Sequence, residues 1–197
     1  MAQPSDNSFA KGIIAVSGLN LALSYENAAV DRLENRLSEC IVPEIKEKIK
    51  HHLAQTRDQQ KRLQERIRAL GGEEIISEKG HLPIPEPPQS IKVLIESHST
   101  ENEREVWESL NDLIIERAEA IMYRGGIQAL ELLEADKKTI KTLEKILKEE
   151  QTFGDWLEKN NPKIAKRLMT KQLVDEKKRK KKKAVEDKDE IHETVPA

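Results

Sequence analysis

The chain has 197 residues, of which 37% are hydrophobic, 36% charged and only 3% aromatic, and its formal net charge is −2. That length holds one ordinary domain with an extension, and a Leu-, Ile-, Glu- and Lys-rich balance disfavours a sheet protein and favours helices with solvated faces. The single cysteine, Cys40, excludes an intrachain disulfide, and the sequence shows no long uninterrupted apolar run, so the expectation is a cytoplasmic protein with no membrane partner.

Residues 1–10, with Pro4, Ser5, Asp6, Asn7 and Ser8, read as a disordered leader, and a helical bundle is expected over 11–160. The first helix runs from about Gly12 to Cys40. Its residues Leu19, Leu23, Glu26, Val30, Leu33 and Leu37 recur at steps of four and three, the spacing of one buried face, with Glu26 in the middle. Pro43 suits the first turn of a second helix, which Gly71-Gly72 stops after Leu70. Its seam is Ile45, Ile49, His52, Thr56, Gln59 and Leu63, apolar at both ends and polar at the centre. The short link between the two helices forces an antiparallel hairpin.

Residues 72–100 form a crossover in which Leu82-Pro-Ile-Pro-Glu-Pro-Pro88 is extended, and Ile91 to Ile95 is an apolar piece of either type. Thr100-Glu-Asn-Glu103 has the form of a capping box and starts the third long helix, which ends near Leu133. Trp107, Leu110, Ile114, Ala118, Ile121 and Gly125 mark its expected buried stripe, with Glu119 on the flank and Glu116 pointing outward. After a turn at Glu134 to Asp136, the fourth helix carries the seam Ile140, Leu143, Leu147, Glu150, Gly154 and Leu157, and Asn160-Asn161-Pro162 is expected to stop it near Lys159. Residues 161–176 leave room for a short fifth helix (Lys163 to Val174). Residues 177–197 read as a disordered charged tail that opens with seven consecutive bases, Lys177 to Lys183.

Two antiparallel hairpins joined by one long crossover are the connectivity of a ferritin-like four-helix bundle. Reflecting each hairpin about its turn brings Glu26 level with Gln55, Thr56 and Gln59, and Glu150 level with residue 120. Buried carboxylates cost several kcal/mol unless paired, protonated or bound to a cation. Di-metal bundles of this architecture answer that cost with metal, held by two glutamates and two Glu-x-x-His pairs. Here Glu26, His52, Glu119 and Glu150 form a candidate metal set for iron or manganese, but neither pair is complete: Phe153 follows Glu150 at plus three and Gln55 follows His52. The alternative is that Glu26 and Glu150 pair with Arg32, Arg117 or water and fix the register of the bundle.

The run Pro43-Glu44 … Glu47 … His52-Leu53 … Thr56 … Gln59 … Arg62-Leu63 … Ala69-Leu70-Gly71 resembles the first hairpin of the YciE/YciF-type ferritin-like proteins. Ile115-Glu116-Arg117-Ala118-Glu119 … Tyr123 is similar to that family's third-helix motif, and Leu147-Lys148-Glu149-Glu150 … Leu157 to its fourth-helix signature. The resemblance spans roughly residues 20–158. It implies a ferritin-like, stress-associated protein, usually a homodimer. Gln55 stands where that pattern commonly has Glu and Arg117 where it commonly has His, which brings a positive charge near the site.

Other signatures are absent from the sequence: no phosphate loop, no Cys-x-x-Cys pair and no serine elbow. The reading is thus a stress-associated ferritin-like protein with a degenerate carboxylate site. Its rival is a non-catalytic helical module that dimerises or docks a partner. In either case Lys177–Lys183 is dense enough to contact nucleic acid through phosphates.

Overall fold

The computed structural model describes residues 6–75, 82 and 88–193, the side chains of 6–10, 96 and 183–193 excepted. The expectations for residues 1–5, for most of the proline-rich crossover and for 194–197 lie outside the described residues. Five helices follow in order: α1 (Asp6–Glu39), α2 (Pro43–Ala69), α3 (Gln89–His98), α4 (Glu101–Leu132) and α5 (Lys137–Glu193). Among the described residues there is no strand. α1 packs along α2 and α4 along α5, and the two hairpins meet through α2 with α5 and α1 with α4. The molecule is an all-α ferritin-like bundle. The apolar piece Ile91–Ile95 belongs to α3, on the connection between hairpins, and α1 begins at Asp6 rather than near Gly12.

Local chemistry fixes the ends of these helices. At the end of α2 the Gly72 N–H reaches back to the Ile67 carbonyl (3.0 Å), with Gly71 in the left-handed region at φ 74°. A Cβ at Gly72 would meet the Val16 side chain at 2.5 Å, so glycine lets the chain pass close against α1. The α4 end repeats the motif, with Ala135 N–H on the Leu130 carbonyl (2.9 Å) and Glu134 at φ 56°. Thr100 and Glu103 form the expected capping box at the start of α4. Asp136 caps α5 by accepting from the N–H groups of Lys138 and Thr139, both at 3.1 Å.

The seams of α1, α2 and α5 lie inside the bundle as expected. They build two apolar cores. One holds Leu19, Leu23, Leu63, Ile67, Ile127, Leu143 and Ile146. The other holds Leu33, Ile45, Ile49, Leu53, Phe153, Leu157, Ile164 and Leu168. The polar seam positions, Glu26, His52, Thr56, Gln59 and Glu150, form a buried layer that belongs to neither core.

Three expectations are corrected. The stripe assigned to the inside of α4 faces out: Trp107 is 40% exposed and Ile121 68%, with Leu110 and Ile114 between those values. The inner face is Glu105, Ser109, Asp112, Glu116, Glu119, Tyr123, Ile127 and Leu130. Hydrophobicity selected the wrong face because the interior it packs into is polar.

Pro162 does not stop the last helix; α5 runs through it without a separate fifth helix. An interior proline costs about 3 kcal/mol through its missing N–H and its clash with the preceding turn. Continuing the helix buries Ile164 and Leu168 in the second core. It also lets the Asn161 amide donate to the Ser109 carbonyl of α4 (2.6 Å). These contacts offset the proline. Beyond Leu168 no described side chain is buried, and the bases Lys177 to Lys182 are all exposed.

The third correction concerns α1. Its Lys11–Glu39 stretch is, by length and composition, apolar enough to cross a bilayer. In the bundle Ala15, Leu19, Ala22 and Leu23 of that stretch enter the first core while Ile13, Ile14 and Leu21 stay exposed, and the same stretch buries Glu26, which faces the polar layer.

Candidate metal centre

Each long helix of the bundle contributes to the buried layer at mid-height, because its heptad-like seam carries a polar residue there. Glu26 comes from α1, His52 and Gln59 from α2, Glu116, Glu119 and Tyr123 from α4, and Glu150 from α5. Glu26 and Glu150 are each 1% exposed and His52 and Glu119 each 2%. All four residues expected as ligands are therefore buried.

His52, Glu116 and Glu150 form the tightest group, with one ligand atom from each lying within 4.8 Å of the others. The His52 Nε2 atom sits 3.2 Å from Glu116 Oε2 and 3.3 Å from Glu150 Oε2, between two carboxylates. The Gln59 amide donates to Glu150 Oε1 (2.5 Å) and to Glu149 Oε2 (3.1 Å). Tyr123 donates its hydroxyl proton to Glu26 Oε1. Phe153, in the position where a second histidine of a Glu-x-x-His pair would stand, packs on the His52 ring at 4.5 Å between centroids.

Three buried atoms of the layer, His52 Nδ1, Glu119 Oε1 and Gln59 Oε1, have no hydrogen-bond partner, and Glu116 Oε2 and Glu150 Oε2 have no well-aligned donor, only the one Nε2 of His52 that they share. Buried polar atoms are nearly always paired, so a concentration of unpaired acceptors in one place marks a site prepared for something else. The donor set, several carboxylates with one imidazole, suits iron or manganese better than a thiol-seeking metal. The residues present fit a bound cation.

Electrostatics point the same way. Burial, reinforced by the Glu150 charge, pushes the Glu26 carboxyl well above its ordinary range, against the Tyr123 hydrogen bond. Burial raises Glu119 strongly, with Glu150 and Glu116 adding to it. Burial lifts Glu116 to about 8, although His52 opposes it. Burial also works to raise Glu150, but His52 and hydrogen bonds from His52, Glu116 and Gln59 outweigh it and hold this carboxyl below its usual value. For His52, burial disfavours the imidazolium, but Glu116 and Glu150 overcome that and raise its pKa well above normal. Protons on the remaining carboxyls thus do the neutralising that a cation would otherwise do.

Glu116 was missed as a site residue because it was placed outside an apolar stripe that proves to be the outer face. The signal was present: Glu105, Ser109, Asp112, Glu116, Glu119 and Tyr123 also recur at steps of four and three. Arg117 brings no charge into the layer, since it turns outward to Asp155 (2.8 Å) and Glu158. Arg32 pairs with Asp112 and, at 3.5 Å, with Glu108. Neither arginine pairs with Glu26 or Glu150, as the alternative reading had it. Gln55 is half-buried and outside the tight group.

Fold and layer together define a ferritin-like helical bundle with a buried carboxylate–histidine centre that can hold a metal. The family model described as a domain of unknown function, DUF892, matches residues 16–170, and the chain belongs to that family. Among solved structures it is similar to a protein of Xanthomonas campestris, at 20% identity and a TM-score of 0.66, over 83% of this chain and 99% of that one. No curated protein matches it.

Proposed function

We propose that this protein is a stress-associated ferritin-like bundle that holds one iron or manganese ion in the mid-height layer. The observation that carries the reading is the buried His52–Glu116–Glu150 cluster, in which two carboxylates share one imidazole nitrogen and His52 Nδ1, Glu119 Oε1 and Gln59 Oε1 stay without partners. His52, Glu116 and Glu150 are the nearest ligands, and Glu26 and Glu119 are the adjoining carboxylates. A redox-active ion held there would exchange single electrons with oxygen or peroxide. The chain's own residues do the rest. Tyr123 fixes one Glu26 oxygen, Gln59 orients Glu150, and Phe153 covers the imidazole and keeps water from that side. The stress association rests on the YciE/YciF-type resemblance.

The outward stripe of α4, from Trp107 to Ile121, supports the expected homodimer: exposed apolar side chains at heptad-like spacing favour a helical partner. In this reading the protein works in a reducing cytoplasm and the exposed bases of α5 contact nucleic acid.

The test is metal analysis of the purified chain after loading with iron(II) or manganese(II), beside Glu116→Ala and Glu150→Ala. The expected result is about one ion per chain in the wild type and a large loss in both variants. Equal retention by all three proteins, or none by the wild type with no change in thermal midpoint, would sink the proposal.

A further inference from the structure

Away from the buried layer, the start of α5 and Arg62 of α2 border a shallow, open cleft of about 460 Å³, lined by Arg62, Lys137, Lys138, Lys141, Thr142 and Lys145. Helical spacing stacks these lysines, since 137 and 141, and 141 and 145, lie one turn apart and share a face. Lys137, Lys138 and Lys141 form no ion pair among the described residues, and Lys145 has only Glu149, at 3.8 Å. Unpaired like charges at this spacing repel one another, and a bound anion relieves that repulsion.

Arg62 faces them from α2. Its Nε lies 2.8 Å from Asp58 and one terminal nitrogen 2.5 Å from Glu149. The other, Nη1, is shut off from solvent and has no partner. A guanidinium donor without a partner beside a row of lysines is a feature that an oxyanion satisfies with a charge-assisted hydrogen bond. The helix end itself is not the attraction, because Asp136 already accepts from the N–H groups of Lys138 and Thr139.

Size and chemistry narrow the ligand. From Lys137 to Lys145 the helix rises about 12 Å at roughly 1.5 Å per residue, more than one phosphate group spans. No aromatic side chain lines the cleft, so there is no platform on which a base would stack. We propose that this cleft binds a small molecule carrying two or more linked phosphate groups, held by Lys137, Lys138, Lys141, Lys145 and Arg62 and read by charge rather than by a base.

The test titrates inorganic tripolyphosphate into the full-length ¹⁵N-labelled chain at physiological salt, following the amides of 137–145, the Arg62 side chain and, for comparison, 177–183. The expected result is saturable, one-to-one movement of the 137–145 and Arg62 signals. The variant Lys138→Glu/Lys141→Glu should weaken it at least tenfold while its circular dichroism and thermal midpoint stay unchanged. Inorganic phosphate should bind at least tenfold more weakly than tripolyphosphate. Should the charge reversals disturb folding, Lys137→Ala/Lys141→Ala serves in their place, with the same expected loss. Movement confined to 177–183, a cleft response that never saturates, or one that the variants leave intact overturns the proposal. A single-stranded oligonucleotide that displaces tripolyphosphate and holds the cleft more tightly overturns it in favour of nucleic acid.

Discussion

α4 carries two sets of buried acids on one seam, and they are treated in opposite ways. Glu105 and Asp112 meet arginines. Arg36 reaches Glu105 at 2.9 Å and Asp112 at 3.1 Å, Arg32 adds a second contact to Asp112, and Glu105 also accepts from the Ile41 N–H at 2.9 Å in the α1–α2 turn. Glu116, one turn further on, meets a single histidine that it shares with Glu150, and Glu119, two turns on, keeps an unpaired oxygen. The first set is closed: each charge has a partner, and the network clips the first hairpin to α4. Burial counts against the Arg36 charge, but Asp112 and Glu105 outweigh it and raise its pKa further. Burial, with Glu105 adding to it against Val42 and Arg36, pushes the Cys40 thiol up to about 11, leaving it inert. The second set is open. Equal burial therefore does not mean equal role; what separates structure from site is whether the partners are already inside the chain.

The comparison can be broken most sharply at Arg36. Arg36→Met leaves Glu105 without a counter-ion and Asp112 with Arg32 alone, and denaturant unfolding should show a loss of about 3–5 kcal/mol, the usual cost of breaking a buried pair. The isosteric change Glu116→Gln in the other set should do the reverse, stabilising the metal-free protein by about 1–2 kcal/mol while abolishing metal retention, because it removes a carboxyl that burial disfavours. A loss of stability there would place Glu116 with the closed set.

pH separates the two sets next. Glu116 titrates near 8 in the folded chain against an ordinary value of 4.5, so between those limits the folded state holds a proton that the unfolded state has released. Stability from this group is complete below about 4.5 and is lost as pH rises towards 8. Glu26, Glu119 and His52, all raised, act in the same direction, whereas Glu150, lowered, loses its contribution on acidification. Metal-free protein should therefore become less stable from about pH 5 to pH 8 in thermal scans, and bound metal should flatten that slope, because the cation replaces the protons. A flat profile without metal would show that the layer is already neutralised.

The smallest effect is expected beyond the bundle. Truncation after Thr170 removes no described buried side chain and should leave the thermal midpoint almost unchanged. A fall of several degrees would mean that the distal part of α5 supports one of the two sets.

Most of the fold was legible because three of the four long seams obey one rule, apolar residues at steps of four and three with a polar interruption at mid-height. Leu19 to Leu37, Ile45 to Leu63 and Ile140 to Leu157 carry it, and the interruptions at Glu26, His52 and Glu150 mark the layer. α4 broke the rule. Its inner face has acids where the others have leucines, and its outer face has Trp107, Leu110 and Ile114, so the hydrophobic criterion chose the outside and Glu116 went with the wrong face. Pro162 misled for a different reason. A local stop signal lost to tertiary burial at Ile164 and Leu168, which the residues around it do not announce.

The amide of Gln59 has one further consequence. Both of its donor contacts go to carboxylates, Glu150 in the buried layer and Glu149, which also holds Arg62 at the cleft. An anion that draws Arg62 from Glu149 makes Glu149 a stronger competitor with Glu150 for the Gln59 amide that donates to both, and a cation that takes Glu150 leaves that amide to Glu149. Linkage makes such an effect symmetrical. Whatever factor one ligand imposes on the other's affinity is returned in full, so titrating either site with the other filled measures a single coupling energy.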